Sequence, residues 1–316
     1  MNRILVIRGG AIGDFVLTLP ALKLLRDAYP AAQIEILGYK HIVALAEGRF
    51  YAQAVHSIEY GKLAGFFAKG AELDSALSDY FASFDLVLSY LFDPDAIFER
   101  NVRHCGVEEF LVGSPKIIES EHAARQLARP LVKLDLELTD PAAHLYPSLG
   151  DRDFAADILR TLKAPVVAVH PGSGSPTKNW PVENWAELAA LLLRRGHGSS
   201  LLVIGGEADE RELAAFRVLA ETSAIRIAEA LPLPEVAALL EGCACFIGHD
   251  SGVSQIAAAV GAPSVLLFGP TDPAVWAPQN ENVRVLRAVE GDLCRIDTDA
   301  VAEAVVQELM RIGIST

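Results

Sequence analysis

Several loops of this chain combine glycines, small hydroxyl side chains and isolated charges in patterns suited to phosphate and proton chemistry. In His170-Pro171-Gly172-Ser173-Gly174-Ser175-Pro176-Thr177-Lys178-Asn179-Trp180-Pro181 a lone cation, Lys178, stands among Ser173, Ser175 and Thr177. Hydroxyls and backbone N–H groups donate to phosphate oxygens while an ammonium neutralises their charge, so the loop reads as an anion cradle. An ordinary turn-rich loop with a surface lysine has the same composition. The stretch Gly248-His249-Asp250-Ser251-Gly252-Val253-Ser254-Gln255, followed by Ile256-Ala257-Ala258-Ala259-Val260-Gly261, marks a strand giving way to a helix of small residues. The N–H groups of Ser251, Gly252 and Val253 would point at an anion, reinforced by the helix dipole, although capping alone accounts for Asp250 or Ser251. His249 could contact a phosphate, but a lone histidine beside a buried strand also fits a packed side chain. In the next loop, Phe268-Gly269-Pro270-Thr271-Asp272-Pro273, Thr271 could donate to a phosphate or a base. Glu207 follows another strand end, where a carboxylate could accept from ribose hydroxyls or simply be a solvated charge at a helix start.

Near the N-terminus, Arg8-Gly9-Gly10-Ala11-Ile12-Gly13-Asp14 joins the first strand to a helix. Gly10 and Gly13 permit close backbone approach to a ligand or a positive φ. The spacing is neither a dinucleotide fingerprint nor a P-loop, because Gly9 is followed by Gly10 and Ala11 and no Gly-Lys-Ser/Thr ending is present. Asp14 stands where the helix should begin, so it can be an N-cap, a base, or both.

A site built from such loops needs strands that end at each of them. Apolar runs predict strands at 4–8, 33–37, 54–60 and 85–90, with a helix over 14–29 and others between. The segment 119–151, rich in charge and carrying Pro130, Pro141 and Pro147, interrupts the rhythm and places a domain boundary near Arg160, giving domains 1–160 and 161–316. The pattern resumes with strands at 165–170, 200–205, 224–227, 244–248 and 264–268, helices at 182–196, 209–222, 234–241 and 252–260, and a final helix at 298–312 that can also pack back on the first domain. The fold class is α/β: two doubly wound Rossmann-like domains whose ligands sit at the carboxyl ends of strands, in the cleft between facing sheets.

Composition agrees. With 316 residues, 51% hydrophobic and 22% charged, each half can bury a core, and disorder is excluded. Lys plus Arg total 27 against 41 Asp plus Glu, and the net charge of −14 argues against broad binding to nucleic acid or anionic lipid. A charge returns at Arg8 after four apolar residues, too few for a signal peptide or a membrane span, so the expected compartment is the cytoplasm. Cys105, Cys243, Cys245 and Cys294 lack metal-site spacing and read as buried thiols, with Cys243 and Cys245 on one face of a strand.

Taken together, these segments resemble glycosyltransferase family nine, the heptosyltransferases of lipopolysaccharide core assembly and their relatives. The likeness rests on Ile4-Leu5-Val6-Ile7-Arg8 with Gly13-Asp14, Thr18-Leu19-Pro20-Ala21-Leu22, Tyr29-Pro30, Pro171-Gly172 with Lys178-Asn179-Trp180-Pro181, Asp250-Ser251-Gly252 and Phe268-Gly269-Pro270-Thr271-Asp272-Pro273, in order over nearly the whole chain.

The resemblance implies the GT-B fold, an acceptor-binding N-terminal domain and a donor-binding C-terminal one. It implies inverting, metal-independent transfer of a sugar from a nucleotide diphosphate sugar, typically ADP-heptose, to a lipopolysaccharide-core or other cell-surface saccharide. The nucleotide sugar is a co-substrate, no cofactor or metal is called for, and contact with the inner face of the membrane is at most transient. Asp14 would be the general base. Lys178 would stabilise the leaving diphosphate, Gly10 and Gly13 would meet the acceptor, and Ser173, Thr177, Glu207, Asp250, Ser251, Gly252, Val253, Gln255 and Thr271 would line the donor site. One position departs from the family pattern: Gln255 stands where histidine is usual, and glutamine donates a hydrogen bond without carrying charge. Two other readings use the same architecture, a nucleotide-sugar epimerase and a degenerate, non-catalytic nucleotide-sugar binding module.

Overall fold

Ile4, Leu5, Val6 and Ile7 are all shut off from solvent, as expected of a parallel strand covered on both faces. They lie in β1 (Arg3–Arg8), the centre of the first of two sheets in the computed structural model, which describes residues 1–195, 200–206, 209–220 and 224–314. The chain divides into two units, Met1–Pro141 and Ala142–Thr316.

In the first unit β2 (Gln33–Gly38), β3 (Ala54–Ser57), β4 (Leu86–Ser89) and β5 (Glu109–Val112) join β1 in the order β3-β2-β1-β4-β5, all parallel. The second unit carries β6 (Val166–Val169), β7 (Ser200–Gly205), β8 (Ile225–Glu229), β9 (Cys245–His249), β10 (Ser264–Phe268) and β11 (Val283–Arg287) in the order β11-β10-β9-β6-β7-β8, again parallel. In both sheets the order in which strands are added reverses beside the first strand, between β1 and β4 and between β6 and β9. At such a switch point the following loops part to opposite faces and leave a crevice at the carboxyl ends. The loop after β1 carries Asp14, and the loops after β6 and β9 carry Lys178 and Asp250.

The helix over 14–29 is two helices, Ile12–Val16 and Leu19–Ala28, because Pro20 has no N–H to donate back to Val16 and its ring crowds the preceding turn. The edge strands β5 and β11 lack fully apolar runs: Glu109 and Val112 are exposed and β11 is half-buried, so their sequences carry a weak strand signal. The division falls at Pro141, not near Arg160. Residues 142–160 serve the second core: the Leu149–Leu159 helix packs on the Leu233–Glu241 helix, and Arg152 donates to both Glu241 carboxylate oxygens at 2.7 and 2.8 Å. The final helix, Thr298–Arg311, buries Val301, Ala302, Val305 and Leu309 against the Val182–Arg195 helix, β9 and β10 of its own unit. The expectation of buried thiols holds for Cys243 and Cys245, whereas Cys105 is half-buried and Cys294, in a short turn after β11, is exposed. Cys243 precedes β9 rather than sharing it with Cys245, and burial pushes its thiol up to about 12.

Candidate functional site

In the second unit, three loops that leave neighbouring strands converge on one carboxylate. Asp250, just past β9, accepts at Oδ2 from Lys178 Nζ (2.7 Å) and from Thr271 Oγ1 (2.8 Å), which come from the loops after β6 and β10. Lys178 closes a single 3₁₀ turn, Pro176–Lys178, so its backbone is fixed while its ammonium reaches across. Ser251 caps the adjoining helix, Gly252–Ala259, its Oγ accepting from the Ser254 N–H at 3.3 Å. The Gln255 N–H is taken by the Ser251 carbonyl. Among the described residues the N–H groups of Gly252 and Val253 have no partner, so the positive end of this helix presents two donors beside the Lys178 ammonium. That combination suits an anion with several oxygens.

Ser173 and Thr177 shape the Lys178 loop. The Ser173 hydroxyl lies 2.6 Å from Asn179 Oδ1 and 2.7 Å from the Ser175 carbonyl, while Thr177 Oγ1 meets Ser175 Oγ at 2.9 Å. Gln255 faces the interior: it is buried, and its Nε2 donates to the Trp276 carbonyl at 2.7 Å, tying the helix to the segment after β10. Glu207 lies outside the described residues.

His170, Asp209 and His249 carry structure that the sequence reading left unassigned or open. His170 Nε2 lies 3.2 Å from Asp209 Oδ2, and the same oxygen accepts from the Gly206 N–H at 2.8 Å. Burial works against the Asp209 charge, yet His170 and the Gly206 N–H outweigh it and hold the carboxyl below its usual range. Gly172 makes room for this pair, since a Cβ there would fall 1.7 Å from Asp209 Oδ1. His249 is fully buried between backbone groups, which bears out its reading as a packed side chain. A polar residue closing each of two otherwise apolar strands was the signal available for the two histidines.

The first unit presents Asp14 differently from the N-cap expected of it. Ala11 is the cap, and Asp14, the third residue of the helix, accepts at Oδ2 from the Ala11 N–H at 2.9 Å. Beneath it lies Arg8, buried at the end of β1, whose Nη2 stands 3.4 Å from Asp14 Oδ1 and whose Nε donates to Thr18 Oγ1 at 3.1 Å. Desolvation lowers the Arg8 pKa and Asp14 partly offsets that loss. Gly10 has φ +100°, and a Cβ on it would sit 2.6 Å from Asp14 Oδ2. Gly13 lies within the short helix. Asp14 is thus a third-exposed carboxylate held from below by a guanidinium and from the side by an amide. Among the described residues no group of three His, Cys, Asp or Glu side chains has metal-site geometry, and no helix is long and apolar enough to cross a membrane.

Two Rossmann-like parallel units, each with its polar residues gathered at a switch point, define the GT-B class of α/β proteins. The model of glycosyltransferase family 9 (heptosyltransferase) matches residues 114–303, more than half of the chain, and the chain belongs to that family. Lipooligosaccharide heptosyltransferase 2 of Haemophilus ducreyi is 30% identical over 166 residues, 50% of this chain and 47% of that protein. The chain spans about half the length of the curated relatives it matches in this way. Among solved structures, the glycosyl transferase family 9 protein of Veillonella parvula superposes with TM-score 0.80 at 21% identity, covering 98% of each chain. The ADP-heptose lps heptosyltransferase II of Escherichia coli gives TM-score 0.78 at 18% identity over 99% of each. These two likenesses are likenesses of fold.

Proposed function

We propose that the protein transfers a heptose from ADP-heptose to a saccharide acceptor of the lipopolysaccharide core, with inversion at the anomeric carbon and without a metal ion. The observation that carries this reading is the meeting of Lys178, Asp250 and Thr271 beside the Gly252 and Val253 N–H groups. Negative charge develops on the diphosphate as the glycosidic bond breaks, and preorganised donors at that position lower the barrier most. Lys178 and the helix start take that part, and Ser173, Thr177, Ser251 and Thr271 line the same donor site. Asp14 takes the proton from the acceptor hydroxyl as its oxygen attacks, and Gly10 and Gly13 leave room for the acceptor. The family membership and the donor named for the Escherichia coli relative support ADP-heptose as the class to test first. The protein would work in the cytoplasm, touching the inner membrane face only transiently.

The experiment is transfer from ADP-heptose to purified core acceptors truncated at successive sugars, read by mass spectrometry, with the anomeric configuration of the product read by NMR. Acceptor-dependent appearance of one heptose with release of ADP supports the reading. Donor isomerised without acceptor would place the protein with the epimerases, and nucleotide binding with no turnover on any acceptor would leave a binding module.

A further inference from the structure

The Lys178 loop departs from β6 and rejoins the fold at Trp180, and one side chain holds both limbs. His249, the last residue of β9, places Nδ1 3.2 Å from the Gly172 carbonyl and Nε2 2.8 Å from the Trp180 backbone N–H. A carbonyl can only accept and an N–H can only donate. The ring therefore carries its proton on Nδ1 and offers a lone pair at Nε2, an arrangement open to neutral imidazole alone. Burial keeps it neutral, holding its pKa down to about 3. Trp185 meets the ring edge-on, with centroids 5.3 Å apart, and limits rotation away from this pose.

Bonds within the loop set its width, as between Ser173 and Asn179, but they do not say where the loop sits relative to β9. His249 supplies that reference, and the next residue, Asp250, receives the lysine. Consecutive residues at the end of one strand thus hold the backbone of the loop and its cation. We propose that His249 is a positioning residue that sets the place of the Lys178 ammonium, and through it the affinity of the site for a nucleoside diphosphate. The inference rests on the reading of Lys178 as a donor-phosphate residue.

The test compares His249→Phe, which keeps a ring of similar shape and loses both hydrogen bonds, with His249→Gln, which retains one donor and one acceptor. Two quantities are read well below the melting temperature of each variant. The first is the rate at which the Lys178 amine is acetylated, followed by peptide mass spectrometry; the second is the affinity for ADP by calorimetry. Losing two buried hydrogen bonds should loosen the loop enough for a change on the order of tenfold in each for His249→Phe, with partial rescue in His249→Gln. In a Lys178→Met background the same histidine change should cost no further ADP affinity, since its effect runs through the lysine. Unchanged labelling, or an ADP loss that adds fully to that of Lys178→Met, overturns the proposal and leaves His249 a packing residue. If wild-type protein binds no ADP while labelling still rises in His249→Phe, the clamp stands and the donor reading fails.

Discussion

The Arg8 guanidinium lies directly beneath the Asp14 carboxylate, with Nη2 3.4 Å from Oδ1 and the Asp14 carbonyl within 3.3 Å of the same nitrogen. The cation is buried and the carboxylate is a third exposed, so one partner is fixed and the other is presented. In the proposed reaction, Asp14→Asn preserves shape and removes the base. Its kcat should fall by about 10²–10⁴-fold with ADP affinity unchanged. Full turnover in that variant would remove Asp14 from the chemistry.

Gly10 is held at φ +100°, and its α-hydrogen faces Asp14 Oδ2 where a methyl group would stand 2.6 Å away. Gly10→Ala therefore combines backbone strain of about 1–3 kcal/mol with displacement of the carboxylate. A lowered denaturant midpoint together with a fall in kcat larger than any change in ADP affinity is expected. An unaltered midpoint would show that the backbone relaxes there without cost.

Lys178→Met removes the ammonium but keeps most of the side chain's length. Asp250 then retains Thr271 as its remaining donor of the pair. ADP affinity, measured by calorimetry at fixed salt, should drop on the order of tenfold to a hundredfold, the loss of one or two charge-assisted hydrogen bonds. Equal affinity in both proteins would mean that the diphosphate does not meet this lysine.

Acid should destabilise the second unit through His249. Its ordinary pKa is 6.5 and its folded-state value is about 3, so below pH 6.5 the unfolded chain binds a proton that the folded chain refuses. Stability is unaffected by this group above that pH and declines as pH falls from about 6.5 towards 3, by on the order of 1.4 kcal/mol per pH unit at most. Asp209, held below its usual range, adds in the same direction: its contribution is present above its unfolded-state value of 3.8 and is lost as pH falls through the folded one. Urea titrations from pH 7 to pH 4 should show a flatter profile for His249→Gln than for wild type. Parallel profiles would contradict the assignment of a neutral, buried ring.

Much of the candidate site is legible along the chain because it is local. Lys178, Asp250, Ser251 and Thr271 all lie in loops that begin where an apolar run ends, and in a doubly wound sheet the ends of those runs meet. The Arg8, His170, Asp209 and His249 contacts are a different matter. Each depends on a group brought alongside by strand order or by a turn in the backbone: His249 reaches Gly172 and Trp180 because β9 pairs with β6, and Gly172 faces Asp209 because β7 flanks β6 on the other side.

By itself, then, the sequence determined the class of fold, two successive alternations of buried strand and helix, and the loops in which chemistry could lie. It did so because apolar period and loop composition are properties of neighbouring residues. Tertiary structure decided which core the Leu149–Leu159 helix serves, that β5 and β11 close the sheets, that Gln255 turns inward to Trp276, and that His249 holds a loop rather than a ligand. Those outcomes depend on which hydrogen-bond partners and apolar faces distant segments bring together, and a half-buried strand or an amphipathic helix carries no mark of its partner until the chain has folded.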